Sequence, residues 1–302
     1  MLESSVNPMP SAPTPPLPLQ VEPFLRASLL EDLGRAGDRT TDAIIPADAT
    51  ATARLVAREA GVVAGLSVAT QTFALLDPAV SVELRVAEGA AVPAGTTVAV
   101  LRGPARAILS AERVALNLLG RLCGIATATR AVVDAIAGPG AVVAGTRKTT
   151  PGLRALEKYA VRCGGGANHR YGLDDAILIK DNHVAVAGSA REAVQRARRA
   201  AGHMIRISLE VDTLDQLRSV LDLPFDVVLL DNMDLEQLRQ AVALVDGRFV
   251  TEASGGVTLH TAPAIAATGV DVLSMGALTH SSPALDVALD IEIAAGGGMQ
   301  TA

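Results

Sequence analysis

Cysteine is nearly absent: Cys123 and Cys163 are the only two in 302 residues. That is too few for a disulfide framework or a thiolate zinc site, and it suits a reducing compartment, here expected to be the cytoplasm. There is no tryptophan, and aromatic residues make up 2% of the chain. With a formal net charge of -6, the chain lacks both the basic face and the stacking rings that nucleic acid requires. No stretch approaches the ~18 consecutive apolar residues of a membrane span, so none is expected. Residues 1–20, "MLESSVNPMPSAPTPPLPLQ", lack the basic start and apolar stretch of a secretory signal. Their proline and serine content predicts a disordered tail.

What remains is apolar. Hydrophobic residues are 49% and charged residues 19% of the sequence, enough for a sizeable core in one large or two ordinary domains. From Val21 to Pro104 the texture is mixed. "PFLRASLLEDLG" reads as a helix closed by Gly34, and "TARLVAREAGVVAG" and "SVELRVAEGAAVPAGTTVAVLRG" as short strands with glycine and proline turns. "SAERVALNLLGRLCGIATATRAVVDAIAG" reads as a long helix with Ser110 as its N-cap.

Beyond it, six β-branched runs follow one another: "GAVVAGT", "DAILIK", "IRISLEV", "FDVVLLD", "RFVTEAS" and "VDVLSMG". Helical stretches such as "SAREAVQRARRAA", "TLDQLRSVLD" and "DLEQLRQAVALV" separate several of them. Such alternation predicts βαβ units and a parallel sheet, doubly wound or closing like a barrel. Each run ends on a charge or a glycine: Arg147 and Lys148; Lys180, Asp181 and Asn182; Glu210 and Asp212; Asp231 and Asn232; Glu252, Ser254, Gly255 and Gly256; then Gly276. Polar residues mark any strand-to-loop boundary. Six in succession, with cations early and carboxylates midway, point to strand ends converging on one mouth, where barrels carry their sites.

The densest charge lies in "GTRKTTPGLRALEKYAVRCGGGANHR", Gly145–Arg170, where only Glu157 opposes six cations. Arg147, Lys148, His169, Arg170 and Lys180 can surround a ligand bearing several negative charges, with arginine forks matching carboxylate or phosphate. Arg154 and Arg162 recur at helical spacing and read as a solvated face with Glu157 as a partner; Lys158 fits either reading. Glu210 and Asp231 can hold Mg2+, stabilise a cation or act as acid and base. Gly255 and Gly256 admit close backbone approach to a phosphate. "GGGANHR" has no Walker lysine and reads as a mobile connection presenting His169 and Arg170. His183 and His280 stand alone and read as structural groups. The combination suits a phosphorylated sugar with a second anionic substrate.

The segment Gly145–His183 resembles the signature of the quinolinate phosphoribosyltransferase family. "LEVDTLDQ", "LLDNM", "EASGGV" and "GALTHS" match its later blocks in order, and "EDLGRAGDRTTDAIIP" and "ERVALNLLGRLCGIATATR" its front half. The resemblance spans Pro23 to Ile293. It implies an α/β fold: an N-terminal open-faced α/β sandwich over 21–121, rejoined by 283–296, and an incomplete seven-stranded α/β barrel over 122–282. The seventh strand is expected near "GIAT", and a final helix over Pro283–Ile293. The implied reaction joins quinolinate to phosphoribosyl pyrophosphate with Mg2+, yielding nicotinate mononucleotide, pyrophosphate and carbon dioxide in NAD biosynthesis. By resemblance Arg147, His169, Arg170 and Lys180 meet quinolinate, and Arg113 reaches in from a partner subunit. Lys148 lies near the phosphoribosyl substrate, Glu210 and Asp231 hold ribose hydroxyls and Mg2+, and Ser254, Gly255 and Gly276 bind phosphate. A homodimer with shared sites is the implied minimal unit, with dimer or hexamer left open.

Three alternatives stand beside this reading. A ModD-type protein, a relative associated with molybdate uptake, would share the fold. A carrier module would explain the hairpin texture of "VAEGAAVPAGTTVAVLRG", yet Val86–Gly103 lacks the lysine such a carrier needs at the tip. A nicotinate-specific transferase would have one fewer carboxylate for these cations to bind.

Overall fold

The computed structural model describes residues 13–292 except 137 and 139. In chain order the elements are α1 (Pro18–Leu33), α2 (Arg39–Ile44), β1 (Thr50–Ala57), β2 (Gly61–Val62), α3 (Leu66–Leu76), β3 (Ser81–Leu84), β4 (Ala91–Val92), β5 (Thr96–Pro104) and α4 (Ala105–Ala135). There follow β6 (Val142–Gly145), α5 (Arg154–Cys163), β7 (Ala167–Asn168), β8 (Ile177–Ile179), α6 (Asp181–Ala187), α7 (Ala190–Ala200), β9 (Ile207–Val211) and α8 (Leu214–Val220). The chain ends with β10 (Val227–Asp231), α9 (Leu235–Val245), β11 (Val250–Ser254), α10 (Ala262–Ala266), β12 (Val272–Met275), α11 (Ala277–His280) and β13 (Val287–Glu292).

These elements form two compact units. One contains 11–128, 150–164 and the C-terminal return from 282. Its sheet is antiparallel, in the order β13-β1-β5-β3, with β2 and β4 paired separately. Leu25, Leu55, Phe73, Leu101, Ile108 and Leu119 are fully buried here. Each such side chain contributes about 1.5–3 kcal/mol of transfer free energy. The return segment lies against α4 so closely that a Cβ on Gly124 would stand 1.9 Å from the Pro283 carbonyl oxygen. The Leu285 amide donates to the Gly120 carbonyl at 2.9 Å, and only glycine at these positions lets two backbones meet this way.

Several expectations change in this unit. α1 begins at Pro18, inside the segment predicted to be disordered, because Val21, Leu25 and Leu29 bury one face. Residues 1–12 of that segment lie outside the described residues. α4 starts directly after β5 at Ala105, so Ser110 is interior rather than an N-cap, and its hydroxyl donates to Asp38. The predicted final helix is instead β13. Its sequence Val-Ala-Leu-Asp-Ile-Glu alternates, and it pairs antiparallel with β1 from Ala57↔Val287 to Thr52↔Glu292. The helix α5 is largely buried rather than solvated. Glu157 is 0% exposed, Lys158 is buried, and Arg154 and Arg162 are half-buried. Glu157 takes Arg121 as its ion-pair partner, with Nη2 at 2.9 Å.

The other unit, 129–149 and 165–281, is a seven-stranded, wholly parallel sheet in the order β7-β6-β12-β11-β10-β9-β8. The edge strands β7 and β8 do not pair with each other, so this is an incomplete α/β barrel. The seventh strand is Ala167–Asn168, within the segment read as a mobile connection. "GIAT" lies inside α4, where Ile125 and Ala126 are fully buried. Apolar strands such as β9, with Ile207 and Leu209 at 0% exposure, are held between neighbours on both edges, as parallel sheets require.

Candidate active site

Parallel register sets which residues share the carboxyl end of this sheet. Gly145 pairs with Asn168 and with Met275, Asp231 with Ser254, and Leu229 with Glu210. The residues just beyond these pairs line one cavity of about 580 Å3. Its wall includes Arg147, Lys148, His169, Arg170, Lys180 and His280, the acids Asp231 and Glu252, and Ser254, Gly255, Gly256 and Gly276.

Two guanidinium groups dominate the cavity. The Nε atoms of both Arg147 and Arg170 are buried and have no hydrogen-bond partner among the described residues. Arg170 Nη1 donates to the Ala176 carbonyl at 2.9 Å, which fixes the group in place. Burial, followed by the neighbouring Arg147 charge, holds the Arg170 guanidinium below its usual value. Two like charges with orphaned buried donors are what an anion of at least two charges would satisfy.

Lys148 also lines the cavity. The Thr279 hydroxyl donates to its carbonyl at 2.8 Å, and its stem crosses Gly276, where a Cβ would come within 2.8 Å of Lys148 Cδ. Ser254 ends β11, and Gly255 and Gly256 follow with left-handed backbones. His280, read from sequence as structural, lines the cavity, and its Nδ1 is 2.6 Å from the Ser281 hydroxyl. His183 accepts the Lys180 amide at 2.9 Å and caps α6.

The carboxylates group beside the cavity. Glu210, Asp212 and Asp231 each offer an oxygen within 4.8 Å of the others. Glu210 lies in β9, Asp212 follows one residue past its end, and Asp231 ends the adjacent β10. Hard oxygen donors in this arrangement fit Mg2+. Asp212 is thus a further candidate ligand, readable as the second acid of an Glu-x-Asp spacing at a strand end. Glu210 does not itself line the cavity; its carboxylate pairs with Lys180 at 2.5 Å. Asp231 Oδ2 accepts from the Asn232 amide at 2.7 Å.

Glu252 is a cavity residue that the site reading left out. Its position in "FVTEAS" places it on the same strand face as Ser254. Arg113 lies on α4 in the other unit, with a side chain 63% exposed and 3.7 Å from Glu112.

The chain matches two family models: quinolinate phosphoribosyl transferase, N-terminal domain, over residues 38–123, and C-terminal domain, over 125–290. It is 46% identical over 275 residues to a probable nicotinate-nucleotide pyrophosphorylase [carboxylating] of Bacillus subtilis, covering 91% of this chain and 94% of that one. It is likewise 46% identical to the Mycobacterium leprae nicotinate-nucleotide pyrophosphorylase [carboxylating], covering 88% and 95%. The crystal structure of NadC from Streptococcus pyogenes superposes with a TM-score of 0.89 at 40% identity, over 92% of this chain and 98% of that one. Both halves of the chain match, over nearly its whole described length, and the chain belongs to the quinolinate phosphoribosyl transferase family.

Proposed function

We infer that this chain transfers the phosphoribosyl group of phosphoribosyl pyrophosphate to quinolinate, releasing pyrophosphate and carbon dioxide and forming nicotinate mononucleotide for NAD biosynthesis. The observation that carries this reading is the pair of buried, unpartnered Nε atoms of Arg147 and Arg170 in one cavity. A pyridine dicarboxylate supplies the two negative charges they lack. Family membership supplies the reaction.

In this reading Arg147, Arg170 and Lys180 orient the dicarboxylate, and Lys148 faces the phosphoribosyl substrate. Backbone at Ser254, Gly255 and Gly276 receives phosphate oxygens. The bond from ribose C1 to the pyrophosphate oxygen breaks, and its electron pair leaves with pyrophosphate. The pyridine nitrogen lone pair forms the new bond to C1. The carboxylates of Asp231 and Glu210 stabilise the positive charge that develops on the ribose. The resulting pyridinium then accepts the electrons released as the 2-carboxylate departs, and a proton replaces it at C2. The protein's main work is positioning. Glu210, Asp212 and Asp231 would hold Mg2+, which when bound neutralises charge on the leaving pyrophosphate.

We place the enzyme in the cytoplasm as a homodimer in which the partner subunit's Arg113 completes each site. No helix among the described residues is long and apolar enough to cross a membrane. Mixing Arg113→Ala with Lys148→Ala protein should restore part of the activity through hybrid dimers. No recovery after verified subunit exchange would remove Arg113 from that role.

The direct assay incubates the protein with phosphoribosyl pyrophosphate, Mg2+ and quinolinate labelled in its 2-carboxylate. Labelled carbon dioxide is expected only when all three are present. Its absence, from protein that still binds phosphoribosyl pyrophosphate, would reject quinolinate and favour the ModD-type alternative.

A further inference from the structure

Besides Asp231, which ends a strand, a second and more deeply buried acid sits in the wall of this cation-lined cavity. Glu252, in the middle of β11, is 4% exposed and faces the cavity beside Arg147, Arg170 and Lys148. A buried carboxylate there would repel a dicarboxylate unless its charge were engaged. Both of its oxygens are placed against other groups. The Ser274 hydroxyl, from the neighbouring β12, donates to Oε1. His169 Nε2 lies 3.5 Å from Oε2.

The other side of the His169 ring fixes its protonation. The Arg170 backbone N–H donates to Nδ1 at 2.8 Å. A backbone N–H only donates, so Nδ1 is the acceptor and carries no proton. The single ring proton is then on Nε2, the nitrogen that faces Glu252. The Nδ1 bond leads directly to Arg170, whose guanidinium is braced on the Ala176 carbonyl and whose Nε is the orphaned donor.

We propose that Glu252 is a positioning residue: with Ser274 behind it, it holds His169 as a neutral strut whose Nδ1 fixes the Arg170 backbone, so that His169 serves the site by aiming Arg170 rather than as a cation facing substrate. The chain Ser274–Glu252–His169–Arg170 then explains why an acid stands in an anion pocket. A carboxylate accepts from both a hydroxyl and an imidazole N–H, whereas an apolar residue would leave both donors unsatisfied.

Two measurements test this. The first is long-range 1H–15N correlation of histidine-labelled whole enzyme near pH 7.5, with the His169 signals identified by their loss in His169→Gln. The neutral Nε2–H tautomer is expected. An imidazolium or an Nδ1–H tautomer in the unaltered enzyme would overturn the proposal, whatever the variants do. The second compares Glu252→Ala with Glu252→Gln, whose amide oxygen still accepts from Nε2–H. Glu252→Ala should lose the fixed tautomer and raise the quinolinate KM about tenfold, with kcat changed less than threefold. Glu252→Gln should restore the tautomer and most of the KM. A Glu252→Ala enzyme that keeps both the tautomer and the KM would also sink the idea. The kinetic arm rests on the quinolinate reading. The spectroscopic arm does not, so failure of that reading appears as absent turnover with the tautomer intact.

Discussion

The Lys180 ammonium lies 2.5 Å from a carboxylate oxygen of Glu210. The lysine expected to meet the dicarboxylate and the acid expected to hold Mg2+ are thus bound to each other. Lys180 is 47% exposed in its side chain and Glu210 8%, so it is the lysine that can swing between an acid and a substrate. Removing Glu210 should therefore act twice, stripping a proposed metal ligand and releasing a cation. Glu210→Ala is expected to lower kcat by about 10²-fold and to weaken Mn2+ binding measured by paramagnetic resonance. Lys180→Ala should raise the quinolinate KM about tenfold. The double variant should lose less than the product of the two, because the residues are in contact. Strict multiplicativity would show that the pair does not communicate.

Gly255 has φ +87°, and a Cβ there would stand 2.1 Å from Asn232 Oδ1 and 3.0 Å from Asn232 N. Asn232 is itself left-handed, at φ 53°. Its amide nitrogen donates to the Ser254 carbonyl at 2.9 Å while its side chain holds Asp231. Gly255→Ala should therefore displace the group that orients Asp231, beyond the ordinary cost of a left-handed alanine. Gly247→Ala is a control, with φ +70° and open space around its Cβ. The control should cost about 1 kcal/mol in urea unfolding and leave activity intact. Gly255→Ala should cost more and raise the phosphoribosyl pyrophosphate KM at least tenfold. Equal effects at the two glycines would reduce the Asn232 contact to mere proximity.

What could be read in advance divides along physical lines. The six longer strands of the half-barrel were legible because β-branched runs ended in charges or glycine, and the register of β6, β9, β10, β11 and β12 brings those ends together. The two-residue β7 carries no run. It is a strand only because Gly145 and Asn168 share ladder positions, and propensity does not report such pairing. β13 was misassigned although its alternation was visible, since its partner β1 lies more than two hundred residues earlier. Of the site, the cations of Arg147 and Arg170 were legible from local charge. Glu252 was legible only as one acid of a strand that reaches the mouth, because its sequence gives no sign of the histidine and serine it will meet. Arg121 was missed as the partner of Glu157 for the same reason, at 36 residues' separation.

That pairing carries a stability prediction. Glu157 is wholly buried and receives Arg121 Nη2 at 2.9 Å, the Thr150 amide at 3.0 Å and the Thr150 hydroxyl at 2.8 Å. Arg121 also donates to the Ser282 carbonyl at 3.0 Å. Glu157→Ala removes the carboxylate that pairs with a mostly buried guanidinium and should cost about 3–5 kcal/mol in urea unfolding. Replacing both residues by methionine should cost less than Glu157→Ala alone, since no charge is then stranded. A double variant as unstable as the single one would mean that the hydrogen bonds to Glu157, rather than the uncompensated charge, set the loss.

The two thiols give the unit a pH dependence of determinable sign. Burial pushes Cys123 from its ordinary value of 9.0 up to about 12. Cys163 rises to about 12 through burial first and the Glu88 charge second. The Tyr159 phenol is also pushed up, again mainly by burial. In each case the folded state holds its proton more tightly than the unfolded chain does. The stability these groups contribute is therefore complete below pH 9 and is lost as pH rises from 9 toward 12, by at most about 1.4 kcal/mol per pH unit for each group. Urea midpoints should fall steadily across that window. At pH 8 a thiol-specific disulfide reagent should leave native protein essentially unlabelled and label both cysteines once it is unfolded. Prompt labelling of either thiol in the native state, or a midpoint that holds level from pH 9 to 11, would contradict the assignment of these groups to a dry, proton-retaining interior.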